Sequence, residues 1–299
     1  MMFEKLVWQK DRMLMDGLVF RLEQTSSDDW ELNGQCFVFA KNQALVNQYG
    51  TFFASHQNFR PQNIFELGLW DGGSLVFWFE TLRPKKQVGI DIQQRSDSDY
   101  FRSYVADRGL EEQIKTYWEV DQSDVQTIRG IVDRDFDGPL DLVIDDASHF
   151  YEPTKSSFEC LFPLLRPGGL YIIEDWAWEH WRDFESPSHP WAHESGLTNL
   201  VCELVQATGT STNLIRSLTT YQGFIVAERG EADMTGQEDF KLEHHIWRRK
   251  TPEETDAHQE ISQQPQAASL TNEFGETNEG IDASISMSPN DQSQGDPQI

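Results

Sequence analysis

The stretch Ile64-Phe65-Glu66-Leu67-Gly68-Leu69-Trp70-Asp71-Gly72-Gly73-Ser74 decides the fold. Its first four residues are a short apolar run that reads as a strand. The run breaks into a turn carrying Gly68, Gly72 and Gly73, and the turn leads into Ser74–Leu82, which reads as a buried helix. Glycines at a strand-to-helix turn let the backbone approach a ligand closely. The spacing is not GxGxxG, so the dinucleotide fingerprint is absent, and without a following Gly-Lys-Ser/Thr the turn is not a P-loop.

The same alternation continues downstream. Strands are predicted at Gln87–Asp91, Ile114–Val120, Leu140–Asp145 and Leu170–Ile173, with helices at Ser98–Arg108, Ser123–Val132 and Thr154–Leu165 between them. A helix near Leu197–Thr208 and strands near Ile215–Leu218 and Gly223–Ala227 complete the pattern. Strands separated by helix-length connections imply an α/β fold, here a mainly parallel seven-stranded sheet with helices on both faces. Residues 62–233 are therefore expected to form the α/β domain. Residues 1–61 form an N-terminal cap or extension, with short strands at Leu18–Leu22 and Cys36–Ala40, a helix within Gln43–Asn58, and no chemical motif. Residues 234–250 are a transition; His244-His245 lies there without the partners a metal site needs. Residues 251–299 contain ten Asp and Glu and no Lys or Arg. Such a segment cannot bury enough apolar surface to offset its ordering entropy, so a disordered acidic tail is expected.

The net charge is −26 over 299 residues. That field repels phosphate backbones and anionic bilayers, which argues against nucleic acid or a membrane as partner. Cys36, Cys160 and Cys202 form no CxxC pair and suit a reducing compartment better than a disulfide scaffold or zinc site. The start Met1-Met2-Phe3-Glu4-Lys5 has no signal-peptide pattern, and no apolar run is long enough for a bilayer, so a cytoplasmic location is expected.

The chemistry concentrates at strand ends. The fourth strand ends Leu142-Val143-Ile144-Asp145-Asp146-Ala147-Ser148-His149 and the fifth ends Tyr171-Ile172-Ile173-Glu174-Asp175. One helix and one turn separate them, so they form a βαβ unit whose acids share the carboxyl edge of the sheet. Neighbouring strands lie about 5 Å apart, so Asp146, Glu174 and Asp175 are expected to converge. Clustered carboxylates repel one another, and a hard dication such as Mg²⁺ resolves the conflict. His149 reaches the same space, and a neutral imidazole suits proton abstraction near pH 7. Asp91 ends the second strand, where a carboxylate can accept both ribose hydroxyls of a nucleoside. Asp121 and Gln122 end the third and are placed to meet an adenine; Asp121 also suits a helix N-cap. The run Trp176-Ala177-Trp178-Glu179-His180-Trp181 is expected at a substrate entrance, with core packing an equal alternative and His180 a second base candidate.

Two resemblances attach to these residues. Glu66–Ser74 is similar to ExGxxxGxS, the first motif of Rossmann-like methyltransferases, and Leu165-Arg166-Pro167-Gly168-Gly169 resembles the LxPGG turn of that superfamily. The resemblance implies a class I, S-adenosylmethionine-dependent methyltransferase fold. Gly68 and Gly72 would pass beside the amino-acid part of the cofactor, Glu66 would orient the loop or the cofactor's ammonium group, and Ser74 would begin the helix. The runs Asp145–His149, Glu174-Asp175 and Val120–Asp124 resemble the metal-dependent macrolide sugar O-methyltransferases of the mycinamicin type. They are also similar to the rhamnosyl methyltransferase/cephalosporin hydroxylase family. This implies Mg²⁺ or another divalent cation on Asp146, Glu174 and Asp175, His149 as general base, and Asp145 among the cofactor-binding residues. It also implies a small-molecule hydroxyl acceptor such as a glycoside. The resemblance spans Glu66 to Asp175, so acceptor identity and assembly, a homo-oligomer included, do not carry over. A metal-independent methyltransferase and a non-catalytic cofactor-binding scaffold or regulator remain as alternatives. The glycine spacing disfavours a nicotinamide-dependent dehydrogenase.

Overall fold

In the computed structural model the chain begins with a small sheet. Strands β1 (Val7–Trp8), β2 (Arg12–Met15) and β3 (Leu18–Leu22) pair antiparallel, and β4 (Phe37–Phe39) joins β3 in parallel. The structure describes residues 2–22, 36–211, 213–234, 236 and 239–248; the expected acidic tail, 251–299, lies outside them. Helix α1 (Gln43–Ser55) follows, its first turn capped by Asn42, whose side-chain oxygen accepts from the Leu45 amide. That bond satisfies one of the donors a helix start leaves open. Leu45, Val46, Tyr49, Phe52 and Phe53 form the buried face of α1.

The seven-stranded sheet comprises β5 (Asn63–Leu67), β6 (Lys86–Ile90), β7 (Ile114–Tyr117), β8 (Leu140–Asp145), β9 (Leu165–Glu174), β10 (Ile215–Thr220) and β11 (Phe224–Arg229). Their spatial order is β10-β11-β9-β8-β5-β6-β7. Strands β5 to β9 pair in parallel, and β11 and β10 add antiparallel at the β9 edge. This is the mainly parallel sheet expected from the sequence. Helices α2 (Gly73–Leu82), α3 (Asp99–Asp107), α4 (Val125–Asp135), α5 (Tyr151–Leu161) and α6 (Thr198–Thr210) connect or follow the strands. The chain runs outward from β5 to β7, then returns to place β8 on the other side of β5. Ligands of open α/β sheets bind in the crevice at such a reversal, beyond the carboxyl ends of the strands.

Several boundaries differ from the sequence reading. Strand β7 ends at Tyr117, and Glu119 turns the chain away with a φ of 61°. Helix α4 starts at Val125 under an Asp124 cap that accepts from the Thr127 amide, so Asp124, not Asp121, fills the N-cap position. Strand β9 begins at Leu165, because the Leu165–Gly169 turn itself extends into pairing with β8.

Strand residues alternate between two cores. Ile64, Leu142, Ile144, Leu170 and Ile172 face α1, α2 and the N-terminal sheet, while Phe65, Val143, Tyr171 and Ile173 face the side of α4, α5 and α6. The N-terminal segment therefore shares its core with one face of the main sheet. Tyr49 stacks on Phe224 at 4.1 Å and meets Trp78 edge-on at 4.7 Å. Each such buried aromatic stabilises the fold by about 1.5–3 kcal/mol relative to its exposed state.

Contact between the N-terminal segment and α2 depends on Gly73. A Cβ there would stand 1.7 Å from the Val38 carbonyl oxygen on β4. Gly73→Ala is therefore expected to push β4 off α2 and lower stability by roughly 2–3 kcal/mol, measured as a shift of the denaturant midpoint. An unchanged midpoint would show that this contact does not hold the N-terminal segment in place.

Candidate active site

A cavity of about 440 Å³ opens at the crevice. Gly68, Leu69, Trp70 and Ser74 line it from the first strand's loop, Asp91, Ile92 and Gln93 from the second, and Val120, Asp121 and Gln122 from the third. Asp146 and His149 follow β8, Asp175 follows β9, and Lys41 comes from the N-terminal segment. Glu66, Gly72, Asp145 and Glu174, also singled out in the sequence, are not on the wall.

Gly68 is needed on two counts. Its φ is 89°, and a Cβ would lie 2.0 Å from the Asp146 carbonyl oxygen. The first loop and the Asp146 loop can touch only with glycine there. Asp91 then locks the loop. Its Oδ2 accepts from the Leu69 and Trp70 amides at 2.8 and 2.7 Å, and its Oδ1 accepts from the Gln93 amide at 2.9 Å. A carboxylate has about four acceptor positions, so most of Asp91's capacity fixes the loop.

Asp145 lies behind the wall and pairs with Gln122, which is on it. Strand alternation turns Asp145 toward α5, where it accepts from Ser157 at 2.7 Å, Tyr171 at 3.0 Å and Gln122 at 3.2 Å. Burial pushes its carboxyl up to about 6, with Ser157 and Tyr171 opposing the rise. Gln122 in turn accepts from the Ser148 amide at 2.8 Å. Asp145 thus holds the loop that carries Asp146 and His149, and its carboxylate is directed away from the cavity. Asp121 accepts from the amide and hydroxyl of Ser123, both at 2.7 Å, which shapes the turn before α4.

The acid cluster contains a cation that the sequence reading missed. Lys41 is 3% exposed. Its Nζ donates to Asp146 Oδ2 at 2.5 Å and to Glu174 Oε1 and Oε2 at 2.8 and 2.7 Å. Burial works against the Lys41 charge, but Asp146 and Glu174 outweigh it and hold the ammonium well above its ordinary range. Burial and Asp146 push the Glu174 carboxyl upward, with Lys41 pulling the other way. A single lysine after a short strand carries no local signal. Its role emerges only when β4 packs over α2.

On the open side of Asp146, His149 Nε2 lies 3.8 Å from Oδ1. Donor atoms of Asp146, His149 and Asp175 all lie within 4.8 Å of one another. Burial raises the Asp175 carboxyl, His149 opposing. Two half-buried carboxylates, with an imidazole beside them, offer oxygen donors that suit a hard divalent cation such as Mg²⁺ or Mn²⁺. Of the three acids expected around a metal, the structure brings Asp146 and Asp175 together and gives Glu174 to Lys41.

The tryptophan-rich run packs rather than opens. Trp178 is buried, donates from Nε1 to the His149 carbonyl at 2.8 Å, and meets Trp191 at 5.2 Å. His180 bonds Thr198 at 2.8 Å, away from the cavity. No residue of this run lines the cavity; Trp191, farther along the chain, does. Trp70, His149 and Asp175 line the cavity with positive φ angles of 53°, 60° and 49°. Non-glycine residues in this region store about 1–3 kcal/mol each, so the surrounding bonds must hold them.

Residues 65–176 match the family model described as a methyltransferase domain. The chain is 33% identical over 178 residues to the mycinamicin VI 2''-O-methyltransferase of Micromonospora griseorubida, covering 57% of this chain and 37% of that one. It is 37% identical over 189 residues to an 8-demethyl-8-alpha-L-rhamnosyl tetracenomycin-C 2'-O-methyltransferase of Streptomyces olivaceus, covering 61% and 43%. A solved mycinamicin-pathway methyltransferase, in complex with Mg, SAH and the macrolide, shares 30% identity at a TM-score of 0.49 over 66% of this chain and 52% of that one. The matched residues 65–176 lie within the mainly parallel seven-stranded α/β sheet, a Rossmann-like arrangement. The relatives of this chain are sugar O-methyltransferases of macrolides and tetracenomycin, and it spans less than half the length of these curated relatives. Among the described residues no helix is long and apolar enough to cross a membrane.

Glu66 offers a test of the wall's electrostatics. It is fully buried, Gln87 donates to its Oε2 at 3.3 Å, and burial pushes its carboxyl up to about 7 against Ser74 and Lys41. A carboxyl raised on folding stabilises below its unfolded pKa, and that contribution is lost as pH rises through the folded value. Glu66→Gln is therefore expected to gain on the parent by roughly 3 kcal/mol between about pH 4.5 and about pH 8, read from denaturant unfolding. Parallel stability curves would contradict it.

Proposed function

We propose that this chain transfers a methyl group from S-adenosylmethionine to a hydroxyl of a natural-product sugar or similar polyol. The observation that carries this reading is the meeting of Asp146, His149 and Asp175 within 4.8 Å on the rim of a cavity built from the first three strand ends. The relatives' sugar O-methyltransferase activities support it.

Gly68 and Ser74 would border the amino-acid end of the cofactor, Asp91 and Ile92 its ribose, and Asp121 and Gln122 its adenine. Glu66, Gly72 and Asp145 act from behind, by shaping the loops. Asp146 and Asp175 would hold a divalent cation, which supplies Lewis acidity that makes a hydroxyl easier to ionise. His149 takes the hydroxyl proton at Nε2 as the new O–CH₃ bond forms and the S–CH₃ bond breaks, leaving S-adenosylhomocysteine. The loops hold oxygen and methyl in line, which converts an encounter into an oriented reaction. Trp191 presents an aromatic face beside His149, suited to a sugar ring or an apolar scaffold.

A metal-independent transfer is the second reading. Lys41 favours it, because Asp146 and Glu174 already have a cation.

His149→Ala is expected to lower kcat on a glycoside acceptor by roughly 10²–10⁴-fold. S-adenosylhomocysteine affinity, measured by calorimetry, should stay near the parent value. Unchanged turnover would remove His149 from the mechanism. Loss of activity in EDTA, restored by Mg²⁺, supports the metal reading, and activity that survives EDTA selects the second one.

A further inference from the structure

We propose that Lys41 is a positioning residue that acts as a fixed internal cation: it withholds Glu174 from a bound divalent metal and limits the metal's carboxylate ligands to Asp146 and Asp175. This rests on the metal reading above and assigns a role that neither the loop motifs nor the strand-end acids contain.

The geometry divides the cluster into two compartments. Both Glu174 oxygens accept from Lys41 Nζ, at 2.8 and 2.7 Å. The Lys41 and Glu174 side chains are each 1% exposed, so neither can turn to water. Asp146 bridges the compartments. Its Oδ2 accepts from Lys41 at 2.5 Å, and its Oδ1 faces His149 at 3.8 Å. The metal-competent atoms lie on the His149 side, with Asp175.

Neither partner is free to yield. Lys41 sits between β4, which pairs with β3 and lies against Gly73, and α1, which starts at the Asn42 cap. Glu174 is registered opposite Phe224, and the Asp175 amide donates to the Gly223 carbonyl at 2.8 Å. A metal could recruit Glu174 only by displacing a buried ammonium, which would leave that charge unpaired. Metal affinity rises with the number of charged oxygen ligands. By removing one carboxylate from the set, Lys41 weakens metal binding and leaves more of an octahedral shell to water and to neighbouring hydroxyls of the acceptor.

The test is calorimetric titration of the full chain with Mn²⁺ in the parent, Lys41→Met, Glu174→Gln and the double variant. S-adenosylhomocysteine binding serves as the check on folding. Lys41→Met is expected to bind Mn²⁺ roughly ten-fold tighter. Glu174→Gln should cost Lys41→Met that gain while leaving Mn²⁺ binding in place when Lys41 is present, a coupling the double variant reads directly. Lys41→Arg keeps the charge and should not gain affinity. If Lys41→Met does not fold, the single Glu174→Gln variant decides, because its retention of Mn²⁺ supports the proposal. Loss of Mn²⁺ binding in Glu174→Gln, or equal or weaker binding in Lys41→Met, overturns it. Mn²⁺ binding by Lys41→Met but not by the parent would sink the metal reading and keep the Lys41 role; binding by neither would sink both.

Discussion

The dominant constraint on this molecule is that Glu66, Asp145 and Glu174 are taken out of water at one edge of one sheet, with Asp175 half-buried beside them. Burying an unpaired carboxylate is costly, so each needs its own accommodation. Asp145 receives three side-chain donors from Gln122, Ser157 and Tyr171. Glu174 receives an ammonium. Glu66 has one donor in Gln87 and a raised pKa. Asp175 is left beside His149 and the open cavity, where a cation from solution has access. The surroundings of the site follow from these solutions, including the need for a lysine from outside the α/β domain.

That lysine changes the standing of the N-terminal segment. Its strands and α1 share the core that covers one face of the main sheet, through contacts such as Tyr49 on Phe224. The same packing that buries these aromatics delivers Lys41 to Asp146 and Glu174. Packing of the segment and electrostatic completion of the acid cluster therefore rest on the same contacts.

The strands, their order of use and the acidic ends of β8 and β9 were legible because each is a local pattern: an apolar run followed by a polar turn. Asp91, Gln122, Asp146, His149 and Asp175 duly reach the cavity. What the string does not show is any partner that comes from a distant surface. Adjacent acids such as Asp145 and Asp146 look equivalent in a string, yet strand alternation sends the first toward Ser157 and leaves the second at the rim. Nothing near Glu174 in sequence hints at its partner Lys41, 133 positions earlier. The tryptophan run likewise carries no mark of which ring will be buried. Trp178 packs against Phe150 and Phe184, and the ring that faces the cavity is Trp191, which lies beyond the run.

The bond from Trp178 to the His149 carbonyl joins two jobs that are usually kept apart. His149 sits in a backbone conformation that needs outside support, and that support comes from the ring against which Trp191 rests. On the proposed function, an acceptor that leaned on Trp191 would press, through Trp178, on the peptide that carries the imidazole. Recognition of the incoming molecule and alignment of the proposed base would then share a single mechanical linkage, and a poorly fitting guest would be handicapped in chemistry as well as in occupancy.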